Sequence, residues 1–225
     1  MIDNLKSKKV LSYDDVAAFS AGKNTESLVD VAKYDASITS EYIKLDMVPV
    51  TGNTIYVRDS VAQKLAKIEA KLKEKNYRLK IVYGYRHPDV QKKYFESRKI
   101  AVSKERPDLK GLDLDRFTHN FVAVPEIGGH PAGAAVDLTL IQADGSEIDM
   151  GSAIADYTDE RKIPTYSDEI TNDQMNHRAL LHDLMVSEDF APFYGEWWHF
   201  SYGDREWAAF YNKTALYGAV DFKLN

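Results

Sequence analysis

The stretch GGHPAGAAVDLTL, from Gly128 to Leu140, constrains the fold more than any other part of the chain. It places Asp137 inside Ala-Ala-Val-Asp-Leu-Thr-Leu, a run with the β-branched and aliphatic content of a strand. A carboxylate among aliphatic neighbours is costly unless its charge is compensated. Backbone N–H groups could do this, and so could a metal ion. Seven residues upstream, His130 follows Gly128-Gly129 and precedes Pro131, so a turn sets its backbone and its ring can point away from the core.

The rest of the chain supplies a frame for this strand. Thr51–Val57 reads as a short strand, with Thr54, Tyr56 and Val57 as β-preferring side chains. A helix follows, capped by Asp59 or Ser60, with Val61, Leu65, Ile68 and Leu72 recurring at i, i+4, i+7 and i+11. Lysines crowd its last turn, where they suit the negative end of the helix dipole. Tyr77–Tyr83 alternates as a strand and ends at Gly84-Tyr85-Arg86, and Pro88 opens a helix over Pro88–Arg98. Residues 101–127 read as a long loop. Val136–Ile141 is a strand turned at Ala143-Asp144-Gly145, and residues 150–173 are weakly patterned. Asp173–Ser187 reads as a second long helix, and a last short strand surrounds Trp197–Tyr202.

Helices and short strands interleaved with long loops imply an α+β fold. The expectation is a mainly antiparallel central sheet with flanking helices, forming a single domain over residues 1–225. An irregular N-terminal excursion over 1–45 wraps a core over 50–203.

Charge and composition narrow the function. The formal net charge is -6 and no block of Lys or Arg exceeds a few residues, which argues against nucleic acid or an anionic membrane surface as the main partner. There is no cysteine, so no disulfide forms, and a transition-metal site must use His, Asp and Glu. The opening MIDNLKSKKVLSYDDV has no apolar core of signal-peptide length, and no later run approaches about 18 apolar residues. Cytoplasmic residence is the expectation, or the periplasm if an export signal has been removed.

Of the six histidines, His87, His119, His177 and His182 sit in contexts that a solvent-facing or satisfied structural role explains. His177 and His182 are five apart on the expected helix, not the i, i+4 spacing of a helical metal pair. His130 and His199 differ. Zinc accepts imidazole nitrogen and carboxylate oxygen, and catalytic sites combine three protein ligands with an open position. His130 and Asp137 could supply two ligands. His199 closes Tyr194-Gly195-Glu196-Trp197-Trp198-His199, with Glu196 three residues before it. Residues three apart face opposite sides of a regular strand, so Glu196 and His199 share a site only across a bulge, turn or strand end, for which Gly195 allows. The helical zinc-protease motif H-E-x-x-H is absent.

Together these motifs resemble the zinc peptidases that act on D-alanyl-D-alanine, and among them the D-Ala-D-Ala dipeptidases linked to vancomycin resistance. That family carries S-x-H-x6-D and, much later, E-x-W-H. Here the first reads Gly128-Gly129-His130…Asp137 and the second Glu196-Trp197-Trp198-His199. Gly84-Tyr85-Arg86, the Leu-Thr-Leu after Asp137, and Met150-Gly151…Asp156 belong to the same pattern, and the resemblance covers roughly residues 50–203. Three departures stand out: Gly128 replaces the family's serine, the segment from Met150-Gly151 to Asp156 holds an extra residue without the usual Phe, and His87 separates Arg86 from Pro88.

The resemblance implies one Zn²⁺ per chain held by His130, Asp137 and His199, with Glu196 as general base. It implies Arg86 at the oxyanion and Asp156 at the ammonium of a free dipeptide, the contact that separates dipeptidases from related D,D-carboxypeptidases. The implied partner is a small peptide, D-Ala-D-Ala or a peptidoglycan peptide. Two other readings remain: a zinc D,D- or L,D-carboxypeptidase or endopeptidase acting on peptidoglycan peptides, and a non-catalytic zinc-binding module of hedgehog-like fold.

Overall fold

The structure, a computed structural model, describes residues 9–224. Residues 1–8 of the expected N-terminal excursion lie outside the described residues. The strand foreseen around Asp137 is β5 in chain order, Ala135–Gln142, and it lies in the middle of a five-stranded sheet. The sheet runs β2 (Thr39–Ser40), β4 (Tyr77–Tyr83), β5, β7 (His199–Ser201), β6 (Ala191–Pro192). Only the β2–β4 pair is parallel, so the sheet is mainly antiparallel and the fold α+β. Residues 135–141 are all buried, as a strand covered on both faces requires. Two further strands, β1 (Leu28–Asp30) and β3 (Tyr56–Arg58), form a separate antiparallel pair.

Helix α3 (Asp59–Lys73) covers the sheet through Val61, Leu65, Ile68 and Leu72, all fully buried. Its partners in the core include Leu79 and Ile81 of β4 and Leu138 and Leu140 of β5. Helix α6 (Asn172–Ser187) starts at a capping box between Thr171 and Gln174 and buries Leu181 and Met185. It also buries Arg178, whose guanidinium donates to the carbonyls of Met150, Lys162 and Pro164 at 2.7–2.8 Å. Trp197 N–H donates to the Ile163 carbonyl and its indole N–H to Ser152. The poorly patterned segment after Met150 is thus held by donors from outside it.

Several sequence expectations shift. The segment 101–127 is not one long loop: α4 runs from Pro88 to Glu105, and α5 spans Gly111–His119. Helix α4 buries only Gln91, Phe95 and Val102, so its second half carries almost no apolar repeat to read. The N-terminal excursion is also structured, with α1 (Tyr13–Ala17) closed by a capping box at Ser12, followed by β1 and β2. Thr51 ends the short helix α2 (Val48–Thr51), stopped at Gly52 with φ +61°, and the strand expected over Thr51–Val57 begins only at Tyr56. The last helix, α7 (Arg205–Tyr211), is capped by Asp204, which accepts from the Trp207 N–H at 2.8 Å.

Candidate metal centre and active site

Strand pairing assembles the candidate metal ligands. Asp137 on β5 pairs directly with His199 on β7 and, on its other side, with Tyr83 on β4. His130 enters from the 3₁₀ turn His130–Ala132, which Gly133 closes at φ +68°. One donor atom from each of His130, Asp137 and His199 lies within 4.8 Å of the others. His130 Nε2 is 3.4 Å from Asp137 Oδ2, and His199 Nδ1 is 3.0 Å from Asp137 Oδ1.

Contacts on the far side of each ring orient it. His130 Nδ1 donates to the Gly84 carbonyl at 2.7 Å, so in the neutral ring the Nε2 lone pair faces Asp137. Gly84 lies so close to β3 that a Cβ would sit 2.6 Å from the Tyr56 carbonyl oxygen, which is why glycine occupies this point. His199 donates from Nδ1 to Asp137 Oδ1 at 3.0 Å and turns Nε2 to the Glu206 carboxylate at 3.6 Å, so each ring nitrogen faces an acid and Nδ1 points into the cluster. Once His199 gives up its Nδ1 proton, two imidazole nitrogens and a carboxylate converging in a buried site form a donor set that suits a divalent transition metal.

Electrostatics follow from this packing. Burial pushes the Asp137 pKa up, but the two imidazoles outweigh it and hold the carboxyl well below its ordinary range. Burial pulls His130 down, and Asp137 only partly offsets this. For His199 burial also acts downward, yet Glu206 and Asp137 raise its pKa well above the ordinary value.

Glu196 reaches the same cavity through a turn. The His199 N–H donates to the Glu196 carbonyl at 3.2 Å, and residues 194–198 form turns before β7 begins. The strand-end geometry that Gly195 permits therefore brings Glu196 and His199 to one side. Burial, with the charges of Asp137 and Glu206, lifts the Glu196 pKa to about 7. Its Oε1 accepts from the Tyr157 hydroxyl at 2.9 Å.

Arg86 follows β4 and lines the same cavity. Its Nη1 donates to Gln91 Oε1 at 2.8 Å, and its guanidinium lies 4.3 Å from the Tyr83 ring centre and 5.2 Å from that of Tyr94. Gln91 in turn donates to the Ala123 carbonyl, so Arg86 is held by a relay from α4 to the following loop. The cavity is about 270 Å³ and is lined by Arg86, His130, Asp137, Tyr157, Glu196 and His199, among others. That volume suits a small ligand.

Asp156 departs from expectation. Its carboxylate accepts from the Thr158 N–H at 3.0 Å, closing a local turn, and it is not among the residues lining the cavity. Ile154, Ala155, Tyr157 and Glu160 line that side instead. The other histidines largely have local roles: His87 caps α4, His177 and His182 bond to Asp149 and Asp183, and His119 accepts from the Val124 N–H. His119 also lines the cavity. Sequence reasoning missed Tyr157, Gln91 and Glu206. None sits in a motif with a ligand, although Tyr157 directly follows the acid that had been singled out.

A cluster able to hold a divalent cation, a buried acid beside it and a guanidinium on the same cavity are the equipment of a metal-dependent hydrolase. Residues 24–220 match the profile of the M15 peptidases, described as D-Ala-D-Ala dipeptidase, and the chain belongs to this family. It is similar to the D-alanyl-D-alanine dipeptidase of Synechocystis sp., with 37% identity over 41% of this chain and 44% of that protein. It is also similar to the D-alanyl-D-alanine dipeptidase of Enterococcus faecalis, with 30% identity over 52% of this chain and 55% of that one. The chain thus spans about half the length of the curated relatives it matches. Among solved structures, the LdcB LD-carboxypeptidase aligns at 18% identity over 86% of this chain and 77% of its own, with a TM-score of 0.47. VanYB in complex with D-Ala-D-Ala aligns at 15% identity over 74% and 83%, with a TM-score of 0.44. A VanY D,D-pentapeptidase in complex with Zn(II) aligns at 16% identity over 89% and 97%, with a TM-score of 0.43.

Proposed function

We propose that the protein is a zinc-dependent dipeptidase that hydrolyses D-Ala-D-Ala. The observation that carries this reading is the convergence of His130, Asp137, His199, Glu196 and Arg86 on one small cavity in an M15 peptidase. His130 Nε2, Asp137 and His199 Nδ1 would hold one Zn²⁺. When bound, zinc supplies Lewis acidity that acidifies a water molecule and polarises the scissile carbonyl.

The protein's own groups account for the other parts of the reaction. Glu196, with a pKa near the working pH, takes a proton from the attacking water and returns one to the leaving amine. Arg86 carries a fixed positive charge and, pinned by Gln91 and two tyrosine rings, meets the oxyanion without reorganising. Burial of the cluster keeps its field strong and bulk water out.

A second reading is supported by Asp156. The acid that would anchor a free ammonium is engaged in a local turn, so a D,D-carboxypeptidase taking N-acylated peptides fits the cavity as well.

Hydrolysis of free D-Ala-D-Ala, L-Ala-L-Ala and N-acetyl-D-Ala-D-Ala by the zinc-loaded protein separates these readings. Turnover of the free D,D-dipeptide alone supports the dipeptidase. Turnover of the acetylated form alone replaces it with the carboxypeptidase. Glu196→Gln should reduce either activity by about 10²–10⁴-fold with zinc content unchanged. Unimpaired hydrolysis would remove Glu196 from its assigned role.

A further inference from the structure

The cavity wall formed by α4 carries more positive charge than the proposed reaction uses. Gln91, Tyr94 and Arg98 lie at i, i+3 and i+7 on α4, and all three line the cavity. Gln91 holds Arg86, and Tyr94 lies with its ring centre 5.2 Å from both the Arg86 guanidinium and Lys44 Nζ. One turn beyond Tyr94, the Arg98 guanidinium sits 4.0 Å over the centre of the Phe121 ring. Lys44 and Phe121 line the cavity too. Asp137, Glu196 and Glu206 line the same cavity, so it holds acidic as well as cationic side chains.

Arg98 is poorly satisfied by the fold. Its single ion pair among the described residues is with Glu105 at 3.9 Å, and that side chain is 58% exposed. An exposed contact of this length contributes little. Its Nε is buried and has no hydrogen-bond partner among the described residues. A buried donor left unpaired costs free energy that nothing local repays, whereas a carboxylate is the natural acceptor for a guanidinium fork. The Phe121 ring holds the fork's plane.

We propose that Arg98, floored by Phe121 in a cavity that Lys44 also lines, is a carboxylate-binding subsite of the substrate cavity. The proposal rests on the reading of this cavity as a peptidase site. Seven residues of helix separate Arg98 from Gln91, about 10 Å along the axis. The terminal carboxylate of a dipeptide lies only three bonds, under about 4.3 Å, beyond the scissile carbonyl carbon. The carboxylate bound at Arg98 is therefore either that terminal group, met by the long arginine side chain leaning back, or an acidic side chain farther along a peptide.

The test is calorimetric binding to the zinc-loaded full chain carrying Glu196→Gln to suppress turnover, with and without Arg98→Gln. The ligands are D-Ala-D-Ala, D-alanyl-D-alaninamide and D-alanyl-D-glutamic acid α-amide. Arg98→Gln should weaken D-Ala-D-Ala about 10–100-fold, the range of one charge-assisted hydrogen bond, and leave the alaninamide unchanged. A loss confined to the glutamic α-amide assigns the subsite to a side-chain carboxylate. Equal losses for carboxylate and amide ligands, or no loss, overturn the proposal, and so does a parent protein that binds carboxylate and amide equally. Zinc content guards against a folding defect, and Arg98→Lys should recover part of the lost affinity. Wild-type turnover is read separately: its absence removes the dipeptidase reading but leaves the binding comparison intact.

Discussion

Asp137 and His199 are direct cross-strand partners on β5 and β7, with His199 Nδ1 3.0 Å from Asp137 Oδ1. Such neighbours carry Cβ atoms about 5 Å apart, so the sheet register itself sets two of the three candidate ligands. A slip of one residue would turn one of them to the other face. Asp137→Asn should keep the strand pairing, because the amide is the same size, while removing the charge that offsets the cation. The expected result is a loss of zinc affinity of at least the roughly 10–100-fold seen when a supporting partner is removed. Competition with a chelator of known affinity measures it, and a variant that retained wild-type affinity would rule Asp137 out as a ligand.

The protonation states around His199 should make the proposed zinc stabilisation depend on pH. His199 has a raised folded pKa, so its contribution to stability is complete below about 6.5 and is lost as pH rises through the folded value. Glu196 acts in the same direction: its contribution is complete below 4.5 and lost as pH rises through about 7. Asp137 is depressed, so its contribution is present above 3.8 and is lost only as pH falls through its lower folded value. With respect to His199 and Glu196, the metal-free protein is therefore more stable at pH 5.5 than at pH 8. Zinc needs unprotonated imidazoles, so the rise in Tm that it causes should be larger at pH 8. At about 100 times Kd the rise should be roughly 5–10 °C for a chain of this size. Melting scans at both pH values decide this, and an equal rise at each would contradict the ligand assignment.

Tyr157 is the hydrogen-bond partner that steadies Glu196 Oε1, at 2.9 Å. That bond favours the charged carboxylate and so lowers a pKa that burial raises. Tyr157→Phe should therefore move the acid limb of the kcat/KM profile to higher pH and reduce kcat by about tenfold, with zinc content unchanged. A drop in activity with no movement of the acid limb would mean that the hydroxyl serves only packing.

The difference between Tyr157 and Asp156 shows how far the sequence reaches. Both belong to the segment after Met150-Gly151, but Ala155 adopts φ +57° and the chain turns there. One residue of register decides which side chain enters the cavity, and no motif records that. By contrast, the bounds of β4 are legible to the residue, because Leu79, Ile81 and Tyr83 form the buried face that the alternation marks, although Val82 is buried too where the register shifts. The candidate ligands are legible because a glycine-bounded turn and an aliphatic strand leave His130 and Asp137 few other places to go. Glu206, Gln91 and Arg98 reach the cavity only through the packing of α4 and α7, so their roles exist in the fold and not in local spacing.

The glycine pair before His130 divides sharply when a side chain is added. A Cβ on Gly129 would lie 2.0 Å from Asp204 Oδ2 and 3.0 Å from Ala135 Cβ, and Asp204 is fixed by Ser201 Oγ and the Trp207 N–H. Gly129→Ala should thus cost about 1–3 kcal/mol, lowering Tm by several degrees, and displace the turn that carries His130. A Cβ on Gly128 would meet Ala123 Cβ at 3.3 Å and Pro131 Cδ at 3.5 Å, a contact that the Ala123 loop relieves by a few tenths of an ångström. Gly128→Ser, which restores the residue expected from the family pattern, should fold with Tm within a few degrees of wild type and bind zinc equally. If it also lowers KM for D-Ala-D-Ala but not for its amide, the hydroxyl serves the terminal carboxylate, and Arg98 is then the partner of a more distant acidic group. If KM is unchanged, the space beside Gly128 is structural, and the terminal carboxylate is left to Arg98 and the other cationic side chains that line the cavity.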